Sequence, residues 1–151
     1  MQTTLIHTNS ENPDFIQLVA LLDAELAIRD GDEHPFFAQF NKIDKINEVV
    51  LAYLDEKAVG CGAIKAYAPG IVEIKRMFVR PEARGQGIAE DLLAELENWA
   101  KALHYKKCIL ETGVKQPEAI RLYEKCGYTR IPNYPPYEET ATSRCFEKSL
   151  R

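Results

Sequence analysis

Residues 81–89 read Pro81-Glu82-Ala83-Arg84-Gly85-Gln86-Gly87-Ile88-Ala89, and the chemistry this stretch suits is anion binding. Glycine reaches backbone angles closed to other residues, so Gly85 and Gly87 let successive N–H groups turn toward one point at the start of a helix. The helix dipole adds roughly half a positive charge there, and Arg84 adds a full one, which suits a pyrophosphate better than a lone carboxylate. For the glycines alone, a tight turn without a ligand is the alternative. A P-loop is excluded, because it needs four residues between its glycines and then Lys-Ser or Lys-Thr. A dinucleotide-binding fingerprint fits weakly: Glu90 stands where it wants Gly or Ala, although Glu111 could serve as its acidic residue.

Other reactive constellations are missing from the sequence. His7, His34 and His104 have no convergent partners, and no Ser-His-Asp or Cys-His arrangement is readable. Cys61, Cys108, Cys126 and Cys145 lie far apart in apolar segments, without the close pairing of zinc or redox motifs. They read as reduced core thiols of a cytoplasmic protein.

The elements around the loop must present it at a helix N-terminus. Leu5-Ile6-His7 reads as a first strand, and Asn12-Pro13-Asp14 opens a helix with Phe15, Leu18, Leu22 and Leu26 at steps of three and four. Asp30-Gly31-Asp32 ends it, and a short helical piece is expected around Phe36, Phe37 and Phe40. Val49 to Leu54 and Ala58 to Ala66 are apolar runs across Asp55-Glu56-Lys57, the spacing of a tight hairpin. Ile71 to Val79 follows as a third strand, with Val72, Ile74 and Phe78 expected on one face and Glu73 and Lys75 on the other. Ile88, Leu92, Leu96, Trp99 and Leu103 then form a helical stripe. Cys108-Ile109-Leu110 reads as a buried strand. Pro117 starts a helix that Gly127 terminates, and Tyr128 to Ile131 and Ser143 to Lys148 close the chain around the loop 132–137. A crossover through the long helix makes its flanking strands parallel, so an antiparallel meander joins a parallel strand-helix-strand unit in one mixed sheet. The fold class expected is α+β, or mixed α/β.

The chain has 151 residues, 46% hydrophobic and 28% charged, with a formal net charge of −4. A chain of this length and composition builds a core, and nothing divides it, so residues 1–151 read as a single domain. Its acidic balance offers no field for nucleic acid or an anionic membrane. No segment has the length of a membrane span or the pattern of a signal peptide.

Arg84-x-x-Gly87-x-Ala89 resembles the acetyl-coenzyme A signature, Gln/Arg-x-x-Gly-x-Gly/Ala, of the GCN5-related N-acetyltransferase (GNAT) superfamily. The preceding strand Met77-Phe78-Val79-Arg80-Pro81 and the Leu-rich helix extend the match. Residues 119–128, Ala119-Ile120-Arg121-Leu122-Tyr123-Glu124-Lys125-Cys126-Gly127-Tyr128, resemble the family's second motif. The resemblance implies a GNAT-like fold that moves an acetyl group from acetyl-CoA to a primary amine by direct attack in a ternary complex, without a metal. It leaves a homodimer open. Backbone N–H groups of Arg84, Gly85, Gln86, Gly87, Ile88 and Ala89 would hold the pyrophosphate. Met77, Phe78 and Val79 would pair with the pantetheine arm, and one amide there would polarise the thioester carbonyl. Ala119 and Tyr123 would flank the coenzyme. Where many relatives carry Asn before this helix, the present chain has Gln116, which takes that place beside the arm.

An aliphatic amine arrives protonated at neutral pH and must lose a proton. The resemblance gives that task to Glu73, through water, because relatives carry a glutamate at that strand position; a solvated charge or a partner for Lys75 is the bland alternative. Tyr123 matches the family tyrosine that protonates the departing thiolate, against core packing as the alternative. In relatives the segment of His34 borders the acceptor cleft. Acidic clusters at Asp30, Asp32 and Glu33 and at Glu138 and Glu139 point weakly to a cationic acceptor. A silent acyl-CoA-binding sensor would need the same loop without Tyr123 and Glu73.

Overall fold

In the computed structural model, which describes residues 3–33, 35 and 45–151, the strands are β1 (Thr3–Thr8), β2 (Glu48–Leu54), β3 (Lys57–Ala68), β4 (Ile71–Val79), β5 (Lys107–Gly113), β6 (Thr129–Ile131) and β7 (Ser143–Ser149). They form one mixed sheet in the order β1-β2-β3-β4-β5-β7-β6. Helices α1 (Pro13–Asp30), α2 (Ile88–Ala102) and α3 (Pro117–Lys125) pack on it. His34 and the helical piece expected around Phe36, Phe37 and Phe40 lie outside the described residues.

Each helix starts where its sequence says it should. Asn12 caps α1 by accepting a hydrogen bond from Asp14 N at 2.9 Å, with Pro13 in the first turn. The β2–β3 hairpin turns through Asp55 and Glu56, at φ +49° and +75°. Both positive angles belong to the turn whose twist matches a hairpin. The pair β4–β5 is parallel and the other pairs are antiparallel, as the crossover through α2 requires.

The core lies on both faces of the sheet. On one, Ile88, Leu92, Leu93, Leu96 and Ala100 of α2 meet Val50, Val59, Val72 and Ile74. Full burial of such aliphatic side chains stabilises by about 1.5–3 kcal/mol each. On the other, Phe15, Leu18, Val19 and Leu22 of α1 meet Cys61, Ala63 and Phe78. Leu103, assigned to the α2 stripe from the sequence, is 42% exposed because the helix stops at Ala102. Cys61, Cys108 and Cys145 are buried free thiols. Burial pushes Cys61 and Cys108 up to about 12 and Cys145 to about 11, which keeps them protonated. No helix among the described residues is long and apolar enough to cross a membrane.

One feature of β4 departs from strict alternation. Phe78 pairs with Cys61 and Lys75 with Ala63, so Arg76 and Met77 together oppose Gly62. This is a bulge, with Arg76 at φ +60°. It flips the pattern downstream. Val72 and Ile74 face α2, whereas Phe78 faces α1, which corrects the expectation that the three share a face. Gly62 is required opposite the bulge, because a Cβ there would lie 2.6 Å from Met77 Sδ and 2.7 Å from Leu96 Cδ1.

Candidate active site

Strand β4 pairs with β5 only from Ile71 to Glu73, against Lys107 to Ile109. Beyond Glu73, ahead of the bulge, the two parallel strands part. A cavity of about 660 Å³ fills the opening, walled by Met77, Phe78 and Val79 of β4, residues 83–85 and 87–90, and Ala119, Leu122 and Tyr123 of α3. The unpaired edge of β4 therefore faces a cleft wide enough for an extended ligand. Leu22, Glu25, Leu26 and Arg29 of α1 close its other side. Spacing by three and four puts those four residues on one helical face; Leu22 and Leu26 belong to the apolar stripe legible in the sequence, while nothing there marks Glu25 and Arg29.

At one end of the cavity lies the glycine loop. Gly85 and Gly87 both have φ +80°, and apart from their chain neighbours no atom stands within 4 Å of where their Cβ would be. That open surface lets a ligand approach the backbone closely. Gly87 caps α2 without any side-chain hydrogen bond. The first helical bond runs from Asp91 N to Gly87 O at 3.0 Å, so the N–H groups before it have no carbonyl one turn earlier. These are the groups an anion would take. Of the loop residues expected to bind the coenzyme, Gln86 alone does not line the cavity.

Arg84 is positioned differently from a free phosphate partner. Its Nε donates to Val79 O at 2.9 Å, and its Nη2 donates to Glu25 at 2.8 Å. Glu25 also pairs with Arg29 at 3.3 Å, and Arg29 pairs with Glu118 at the start of α3. The chain of charges crosses the cavity from the glycine loop over α1 to α3. Lys125 lies opposite, 3.1 Å from Glu90.

Tyr123 is 7% exposed and packs edge-on against Tyr128 at 5.8 Å. Its hydroxyl makes no hydrogen bond among the described residues, and the residue lines the cavity. Burial, with the Glu111 carboxylate as a lesser cause, holds its pKa well above the usual tyrosine value, so the phenol stays protonated. Gln116 and Ala119 stand beside it on the cavity wall.

The family model described as the acetyltransferase (GNAT) family matches residues 15–128. The chain belongs to this family. An Azospirillum brasilense protein called IAA acetyltransferase is 36% identical over 143 residues, which cover 89% of this chain and 90% of that protein. A Klebsiella pneumoniae crystal structure described as an acyl-CoA N-acyltransferase is 32% identical, with TM-score 0.83 and 99% of each chain covered. A GNAT family acetyltransferase from Elizabethkingia anophelis, crystallised with acetyl-CoA bound, has the same fold at 20% identity, with TM-score 0.71 and 97% of each chain covered.

The acidic groups of this GNAT acetyltransferase are distributed unlike the sequence expectation. Glu73 lines neither this cavity nor the next. Tyr134 donates to its Oε2 at 2.6 Å, and Lys75 lies 3.6 Å from its Oε1. A second, smaller cavity of about 110 Å³ shares Leu22, Leu26, Met77, Gln116, Ala119 and Tyr123 with the first. Asp30, Arg76 and Glu111 line it. From the sequence Glu111 fits only the acidic place of a dinucleotide fingerprint, because its period-two place in a buried strand carries no other mark of a site.

His7 sits apart from both cavities. It stacks on Trp99 with centroids 3.9 Å apart, and its Nε2 lies 2.7 Å from Glu95.

Proposed function

We propose that the protein transfers the acetyl group of acetyl-CoA to a primary amine by direct attack in a ternary complex. The observation that carries this reading is one continuous cavity joining the open glycine loop at the N-terminus of α2 to the protonated Tyr123 hydroxyl. The residues fit the coenzyme: unpaired N–H groups and Arg84 suit a pyrophosphate, and the free edge of Met77, Phe78 and Val79 suits an amide-bearing arm. Gln116 and Ala119 would border that arm. Acetyl-CoA supplies an acetyl carbon activated as a thioester.

The chain's own residues then orient and move protons. Backbone N–H groups from Gly85 to Ala89, Gln86 included, hold the charged end; the Arg84 N–H, expected to join them, instead donates to Pro81 O at 3.3 Å. Tyr123, protonated throughout the working pH range, donates to the leaving sulfur. Burial keeps it an acid; it is no base at neutral pH. The apolar walls given by Leu22, Leu26 and Leu122 exclude water that would hydrolyse the thioester.

The test combines binding and turnover. CoA is expected to raise the thermal midpoint and NAD to leave it unchanged. Thiol release from acetyl-CoA should then depend on an added primary amine. Stabilisation by CoA without thiol release across amines, amino acids and peptides would mark the protein as an acyl-CoA sensor instead.

A further inference from the structure

We propose that Arg76 binds a carboxylate carried by the acceptor amine, so that the substrate class is a free amino acid or another small amino-carboxylate. This rests on the acetyl-transfer reading above and narrows its acceptor. Arg76 lines the smaller cavity together with Asp30, Glu111 and Tyr123, and among the described residues it is the one cationic side chain on that wall.

The guanidinium is buried and incompletely paired. Its side chain is 2% exposed, and Nη2 donates to Asp23 Oδ1 of α1 at 2.6 Å. Nε, also buried, has no hydrogen-bond partner among the described residues. An arginine holds a carboxylate best through two parallel bonds; Asp23 takes one nitrogen with one oxygen. The Asp23 side chain is 49% exposed, so water screens its hold on the buried charge, and it has room to swing aside. A buried donor is seldom left without an acceptor. Arg76 also has φ +60° in the β4 bulge, a conformation costly to any residue but glycine. Its backbone is anchored there, because Cys61 Sγ donates to Arg76 O at 3.3 Å. The fold thus holds, against backbone strain, a buried cation with bonding capacity to spare.

Opposite charges line one small space. A cavity of about 110 Å³ admits a compact polar head, and a head bearing both an ammonium and a carboxylate matches acidic groups on α1 and β5 and a guanidinium on β4. Tyr123 borders both cavities, so an amine whose carboxylate lies on Arg76 stands in the space that adjoins the coenzyme cleft. A diamine would set a second cation against Arg76. A protein N-terminus or a lysine side chain within a protein has its carboxyl tied up in an amide and lacks the group that Arg76 binds. The acidic clusters noted in the sequence do not oppose this, because Asp32, Glu138 and Glu139 are exposed and line neither cavity.

The experiment compares, at saturating acetyl-CoA, kcat/KM by CoA thiol release for free amino acids, their primary amides and the amines left on removing the carboxyl. The amide is a weaker base than the amino acid and the decarboxylated amine a stronger one, so a preference for the amino acid over both cannot come from basicity. In wild type that preference should be about 10- to 100-fold. Arg76→Lys and Arg76→Met should shrink it severalfold, the loss falling on KM for the amino acid. Asp23→Asn, at a half-exposed site, removes the competing carboxylate and should lower KM for the amino acid severalfold without lowering it for the decarboxylated amine. An ion pair with a structural role alone would lose stability with no change that depends on the acceptor's carboxyl. The wild-type series and the Asp23→Asn arm decide the matter if the Arg76 variants do not fold. Equal use of amino acids, amides and decarboxylated amines, or an unmoved KM in folded Asp23→Asn, overturns the assignment while leaving acetyl transfer standing. A preference for succinyl-CoA over acetyl-CoA, with none among acceptors, overturns it as well, because the carboxylate then belongs to the donor. A wild type that is stabilised by CoA yet inactive with every acceptor overturns the functional reading and this inference together.

Discussion

The hydroxyl of Tyr134 donates to the Glu73 carboxylate at 2.6 Å, joining the loop before β7 to the third residue of β4. Tyr67 of β3 packs edge-on against Tyr134 at 5.1 Å, and Tyr137 does so at 5.9 Å. Burial followed by the Glu73 charge raises the Tyr134 pKa, so the phenol remains a donor across the physiological range. Removing either partner leaves the other half-buried without this bond. Tyr134→Phe is expected to lower unfolding stability by about 1.5–3 kcal/mol in urea titration, the magnitude of a hydrogen bond to a charged group. Glu73→Gln should destabilise as well. A pH–rate profile of the folded variant parallel to wild type would leave the carboxylate to this structural role, and a deficit confined to low pH would give it the amine's proton.

Tyr123→Phe keeps the ring against Tyr128 and Phe146 and deletes only the hydroxyl. A thiol with pKa near 8.5 is a fair leaving group, so its acid matters less than one serving an alkoxide. We expect kcat to fall about 10- to 1000-fold with KM for acetyl-CoA changing much less. Stopped-flow and steady-state rates under chemistry-limited conditions check this; unchanged kcat in a folded variant would reduce Tyr123 to packing.

Arg84 and Glu25 lie 2.8 Å apart, so under the proposed function coenzyme binding would compete with an internal ion pair. Glu25→Gln frees the guanidinium and should tighten acetyl-CoA binding several-fold at low salt, the gain fading near 1 M salt as screening shortens to about 3 Å. Arg84→Ala should weaken binding about tenfold or more, the loss of a charge-assisted contact. Gly87→Val, at φ +80° with open space around the added carbon, costs about 1–2 kcal/mol in backbone strain and blocks ligand approach. Calorimetric titration of the three variants separates these effects; wild-type affinity in both Arg84→Ala and Gly87→Val would remove the loop from phosphate binding.

Glu111 also makes stability depend on pH. Its carboxyl is raised in the fold from the ordinary value near 4.5 to about 7, so the folded state retains a proton the unfolded chain has lost between those values. Stability falls as pH rises through that window and levels off above it. Glu111→Gln abolishes this slope, because its side chain has no proton to lose. At pH 8 it should be more stable than wild type by about 1–3 kcal/mol, with the advantage gone at pH 4.5. Guanidinium titrations at the two pH values measure this, and equal differences at both would show that Glu111 is not perturbed by burial.

The glycine loop, the long α2 and the succession of elements along the chain were legible in the sequence because each is a local matter, whereas the place of β7 between β5 and β6 was not. Gly85 and Gly87 next to an amphipathic stripe determine a loop and a helix start whatever else surrounds them. The short strand Cys108-Ile109-Leu110 after α2 likewise dictates a parallel crossover. Which side chains meet across the cleft was decided only by tertiary structure. Period-two alternation placed Phe78 with Val72 and Ile74, but the two residues Arg76 and Met77 opposite Gly62 reverse the faces, and a bulge depends on the partner strand as much as on its own sequence. The same reversal accompanies the parting of β4 from β5, which opens the cavity. Glu73 and Glu111 are both glutamates within largely apolar strands and are alike in sequence character. The tyrosine loop covers the first and the parted strands expose the second to the cavity, so their chemical difference arises from long-range packing that no local spacing records.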